Sequence, residues 1–172
     1  MNHKHISSQF DADLRDVSNR VLEMGGLAEA QVAQAMYALA HISAETATQV
    51  LVQEERINQM EVEIDGELQR VIAMRQPTAI DLRLLIAISK AIANLERVGD
   101  EAARIARTVQ RLINTGVSSR LQVPVADLKY EADLATAQLR RSLDAFARLD
   151  AEQALEVLKQ DVQIDQEFDG LL

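Results

Sequence analysis

The chain has 172 residues, with 27 acidic against 18 basic side chains and a net charge of −9 at neutral pH, a balance that argues against nucleic acid or an anionic membrane as the main partner. Cysteine is absent, which removes disulfides, thiolate metal sites and a cysteine nucleophile. Hydrophobic residues make up 48% but aromatic ones 3%, so the core must be built from Ala, Leu, Ile, Val and Met, and the scarcity of Gly and Pro suits long helices.

No run approaches the ~18 consecutive apolar residues of a membrane span, and the start MNHKHISSQF lacks the apolar core of a signal peptide. A soluble cytoplasmic protein is therefore expected. Residues 1–7 read as a frayed tail in which His3 and His5 are solvated. A first helix is expected from Ser7 or Ser8, either of which can cap it. Phe10, Leu14, Val17, Val21, Met24, Ala28, Val32, Ala35, Leu39 and Ile42 recur at spacings of three and four, an apolar stripe on one long helix. Gly25 and Gly26 inside it either loosen the helix or admit a close neighbour.

A turn is expected over residues 41–44, with Ser43 capping a second helix that carries Ala47, Val50, Leu51, Ile57, Met60, Ile64, Leu68, Val71 and Ile72. That helix must end before Pro77. Thr78 and Asp81 then resemble a capping box at the head of a third helix. This helix includes the most apolar helical run of the chain, Leu82–Ala106, and ends at Asn114–Thr115–Gly116, where Gly116 supplies a left-handed cap. Residues 117–124 read as a linker. A fourth helix then carries Leu128, Leu134, Leu139, Leu143 and Phe146, and Asp150 caps a fifth.

The segments Leu39–Asn58 and Ala145–Asp165 resemble each other. With Ala44 set on Ala151, Val50 falls on Val157, Leu51 on Leu158, Gln53 on Gln160, Glu54 on Asp161 and Ile57 on Ile164. The predicted fold class is all-α, a tandem repeat of three-helix bundles. Residues 1–116 would form the first bundle, 117–124 the linker, and 125–172 two helices of a second bundle that lacks its last helix. The apolar face left open predicts self-association as a homodimer.

The third helix sets Glu96 and Asp100 one turn apart, with Gly99 between them, in an otherwise apolar run. On the second helix Glu54, Asn58, Glu61 and Asp65 fall in one stripe, one residue along from the apolar row. If the two helices are antiparallel, these acidic rows meet at a seam. Crowded carboxylates repel unless one is protonated or a cation intervenes, and all-oxygen donors suit Mg, Ca, Mn or Fe ions. Asp161, Asp165 and Asp169 repeat the spacing on the fifth helix. The candidate metal ligands are thus Glu54, Asn58, Glu61, Asp65, Glu96, Asp100, Asp161, Asp165 and Asp169, with Fe, Mn, Mg and Zn not distinguished. An ordinary solvated face, neutralised by Arg56, Arg97, Arg104 and Arg107, is the competing reading of the same acids. Gly99 fits either reading.

Phosphate-binding glycine loops, GxSxG and HExxH are absent, and neither acidic row has the His three residues on that a di-iron carboxylate bundle uses. This points away from an oxygenase or oxidase.

The stretch QPTAIDLRLLIAISKAIANLERVGDEAARIA, from Gln76 to Ala106, closely resembles the signature region of the PhoU family of phosphate-signalling regulators. HISSQFDADL, MEVEIDGELQRVIAMRQPTA, LDAFARLD and IDQEFDG are similar to that family too. The resemblance covers nearly the whole chain. It implies two tandem three-helix bundles and, because members normally carry a sixth helix, a chain truncated at its C terminus. It also implies paired E/D-x-x-x-D motifs able to hold metal clusters. Glu96–Asp100 and Asp161–Asp165 match that motif, whereas Asn58 replaces the second acid after Glu54. By resemblance the protein is a non-enzymatic negative regulator of the phosphate-starvation response. It would link the cytoplasmic subunits of the high-affinity phosphate ABC transporter to the sensor histidine kinase, and would meet the membrane only through those complexes. The alternative is a carboxylate-bridged metal-binding bundle acting as a metal enzyme or store.

Overall fold

A computed structural model describes the backbone of residues 3–116 and 125–169, and the side-chain surroundings of residues 9–116 and 125–161. The order is α1 (His3–His41), α2 (Ala44–Arg75), α3 (Ala79–Asn114), α4 (Val125–Arg148) and α5 (Ala151–Asp169). The expected linker at 117–124 lies outside the described residues.

Helix α1 starts at His3, four residues ahead of the expected cap at Ser7. No Gly or Pro interrupts residues 3–10, so nothing in that stretch breaks the helix. Helices α1, α2 and α3 pack mutually into one bundle, α4 lies on α1, and α5 pairs with α4. On α1 and α2 the bundle interior follows the sequence stripes, with Val17, Val21, Met24 and Ala28 meeting Ile57, Met60, Ile64 and Leu68, and α3 adds Leu85, Ile88, Ile92 and Leu95 from its apolar run. Ile72, expected inside, is exposed, because Val71 takes the inward position and Ile72 lies about 100° further round the helix. A second apolar cluster is made of small residues, with Ala35, Ala38, Ala47, Ala102 and Ala106 around Val50 and Val109. The helices approach closely there, as an aromatic-poor core requires.

The α1–α2 and α4–α5 turns are copies of one another. Ile42 and Leu149 both adopt left-handed backbone, at φ 49° and 52°. The amide of Ser43 donates to Ala38 at 3.0 Å and that of Asp150 to Ala145 at 2.9 Å, the six-to-one bond of a Schellman ending. Ser43 Oγ then accepts from the Thr46 amide, and Asp150 Oδ1 from the Gln153 amide, so both expected caps form. The correspondence reaches back to α1 and α4. Gln31 Nε2 donates to the carbonyl of Val50, and Gln138 Nε2 to that of Val157, each pair shifted by the same interval as Ala44 and Ala151. The Thr78–Asp81 capping box does not form in that manner: the Thr78 hydroxyl donates to the Asp81 carboxylate at 2.6 Å and caps no backbone amide.

Gly25 sets the packing of α4 on α1. A Cβ there would lie 2.5 Å from Leu143 Cδ1, so the missing side chain admits Leu143, and Leu139 and Phe146 settle beside it on the bundle core. An ion pair from Arg140 to Glu29 closes this contact.

Candidate functional site

Helices α2 and α3 run antiparallel, as cross-links along their length show. Thr48 accepts from Gln110 at 3.3 Å near one end, Glu54 pairs with Arg107 at 3.2 Å, and Asp65 accepts from Ser89 at 3.4 Å toward the other. This register sets Glu61 and Glu54 beside Glu96 and Asp100, the meeting of acidic rows expected from spacing. All of these carboxylates are half-buried. Their effect converges on Glu96. Partial burial raises its pKa first, and the charge of Asp100, the charge of Glu61, a hydrogen bond with Asp100 that favours the neutral acid, and the charge of Glu54 add to it.

The candidates do not share one environment. Glu54 is neutralised by Arg107. Asp65 accepts from Gln69 at 2.6 Å as well as from Ser89, which fixes it one helical turn beyond Glu61. Asn58 lies between Glu54 and Glu61 in the row, and its Oδ1 is buried without a hydrogen-bond partner. Asp161 is exposed and accepts from Gln138 at 2.8 Å. The side chains of Asp165 and Asp169 lie outside the described residues. Among the described residues no group of three or more His, Asp or Glu side chains is arranged to hold a metal ion, so the seam is not a preformed coordination shell. The orphaned Asn58 oxygen and the oxygen-only chemistry of Glu61, Glu96 and Asp100 nevertheless suit a hard cation.

Gly99 has a packing explanation. A Cβ on it would lie 3.0 Å from Gln31 Oε1 and 3.3 Å from Ile57 Cδ1. Gln31 is fully buried. Its amide nitrogen serves Val50, while its oxygen, without a partner, rests on the α3 backbone at Gly99. The sequence reading missed this glutamine, since a polar residue outside the apolar stripe carries no burial signal. It also missed the junction of α1 with α2, where Arg20 bridges Glu63 and Glu67 and Arg75 holds Asp13 at 2.9 Å. A cleft of about 570 Å³ opens there beside Asn19 and Met74.

Residues 21–109, the span holding the α2–α3 seam, match the PhoU domain family. A Burkholderia sp. phosphate-specific transport system accessory protein PhoU homolog is 47% identical over 96% of this chain and 70% of its own length. A Pseudomonas putida protein of the same name is 48% identical over 95% of this chain and 63% of its own. The chain thus spans about two thirds of the length of these relatives. The crystal structure of PhoU from Pseudomonas aeruginosa superposes with a TM-score of 0.85 at 41% identity, covering 94% of this chain and 76% of that one. With sequence identity, helix order and three-dimensional arrangement in agreement, this chain belongs to the PhoU family.

Proposed function

We propose that the protein is a non-enzymatic negative regulator of the phosphate-starvation response. It acts as an adaptor at the cytoplasmic face of the membrane, joining the high-affinity phosphate ABC transporter to its sensor histidine kinase. The observation that carries this reading is the likeness, along nearly the whole chain, to proteins named as accessory to phosphate-specific transport. No helix among the described residues is long and apolar enough to cross a membrane, in keeping with attachment through partners. Leu155 and Leu158, 57% and 63% exposed on α5, support self-association through that helix. The test is binding of the purified protein to the kinase's cytoplasmic portion and to the transporter's cytoplasmic subunits. Saturable binding to either supports the adaptor role, and binding to neither overturns it.

The acidic seam supports a second reading, that of a carboxylate metal protein. Glu61, Glu96, Asp100 and the Asn58 oxygen would hold a cation there, whose charge would relieve the repulsion now borne by Glu96. Elemental analysis of protein purified without chelator, beside Glu96→Ala and Asp100→Ala, tests it. Metal in the parent and less in both variants supports the site, and equal content in all three removes it.

A further inference from the structure

The exposed face of α3 carries a pattern that neither the family match nor the acidic seam uses. Arg83, Lys90, Arg97, Arg104 and Arg111 follow one another at intervals of seven residues, and all five are exposed. At 1.5 Å per residue they form a ridge about 42 Å long. Arg104 pairs with Glu101 of its own helix at 3.1 Å, while Arg83, Lys90, Arg97 and Arg111 make no ion pair among the described residues. Ile80 and Ile86, 80% and 47% exposed, flank Arg83 on the same face. In a chain with net charge −9, this is a local concentration of the opposite sign.

The spacing selects the occupant. A seven-residue interval on a straight α-helix drifts by about 20° per step, so the five cations trace a path winding through about 80° around α3. A flat anionic membrane has no repeat to match this regular drift. A helix crossing at the shallow angle of a left-handed coiled coil follows that drift, and its own seven-residue repeat keeps one position facing each cation. We propose that the solvent face of α3 is a docking ridge for an acidic α-helix of a partner protein, one that carries a carboxylate every seventh residue and a short apolar patch to meet Ile80 and Ile86. Charge complementarity of this kind sets orientation and register and accelerates encounter. The claim involves neither the metal reading nor the regulatory role, and its test can fail without touching either.

The probes are a synthetic helical peptide with glutamate at every seventh position, a peptide of the same composition with the glutamates scrambled, and phosphatidylglycerol vesicles, each titrated against the full chain by fluorescence. The seven-spaced peptide is expected to bind about tenfold or more tightly than the scrambled one, and to weaken by a similar factor on raising the salt. Arg83→Glu/Arg97→Glu/Arg111→Glu should abolish this binding with an unchanged circular dichroism spectrum, and the triple Lys variant at the same positions should retain it. Equal binding of the two peptides, indifference to charge reversal, failure of both peptides to bind, or stronger partition onto vesicles than onto the seven-spaced peptide would each overturn the proposal.

Discussion

Replacing Glu96 by Gln should make the metal-free protein more stable at neutral pH. Burial and the Asp100, Glu61 and Glu54 carboxylates raise the pKa of Glu96 in the folded chain. The folded state therefore binds its proton more tightly than the unfolded state does. Such a group contributes stability that is fully present below the unfolded pKa and lost as pH rises through the raised folded value. At neutral pH the ionised carboxylate is a net cost, and Gln removes the charge while keeping the shape. Arg107 offsets Glu54, which leaves Asp100 and Glu61 as the uncompensated neighbours. At a few tenths of a kcal/mol for each like-charged neighbour, and a comparable term for half-burial, Glu96→Gln should gain about 1 kcal/mol. That corresponds to a rise in Tm of about 2–4 °C for a chain of this size. Urea unfolding in chelator, at about pH 7 and again near the ordinary Glu pKa of about 4.3, measures it. The gain should be present at the higher pH and shrink at the lower one, because the raised pKa lets Glu96 take up its proton as pH falls. A destabilised variant at neutral pH, or a gain of equal size at both values, would refute the reasoning.

Asp13 should show the opposite linkage. The hydrogen bond from Arg75 holds its pKa below the ordinary value, so its contribution is present above the unfolded pKa and lost as pH falls through the folded one; Arg75→Ala should return the Asp13 titration, followed by NMR, toward the normal range. Gly99→Val should destabilise the bundle by about 2 kcal/mol in chemical unfolding, since Gln31 and Ile57 already occupy the space that a side chain would need. Ile64→Ala empties a fully buried position where all three helices meet and should cost about 2–5 kcal/mol by the same measurement.

The apolar stripes were legible because a helix repeats every 3.6 residues and the core takes one side of it. Ile57, Met60, Ile64 and Leu68 on α2 are buried as their spacing predicts, and Val17, Val21, Met24 and Ala28 likewise on α1. The turns were legible because Ser43 and Asp150 cap by local chemistry. Helix pairing was harder to read. That Leu143 presses on Gly25 across more than a hundred residues is a fact of packing, and Gly25 alone left two explanations open. Gln31 and Gln138 sit outside the apolar stripes, and their shared role emerged once each was seen bonding a carbonyl of the following helix. At the seam, spacing brought the acidic rows together, but it could not show that Arg107 engages Glu54, that Ser89 and Gln69 hold Asp65, or that the pKa of Glu96 is raised. Those depend on the axial offset of two helices, which no local pattern encodes.

The regulatory reading is tested most directly in cells. With the gene deleted, a phosphate-starvation reporter should be expressed constitutively in phosphate-rich medium, and restoring the protein should return it to its repressed level. Reporter expression unchanged by the deletion would contradict the account.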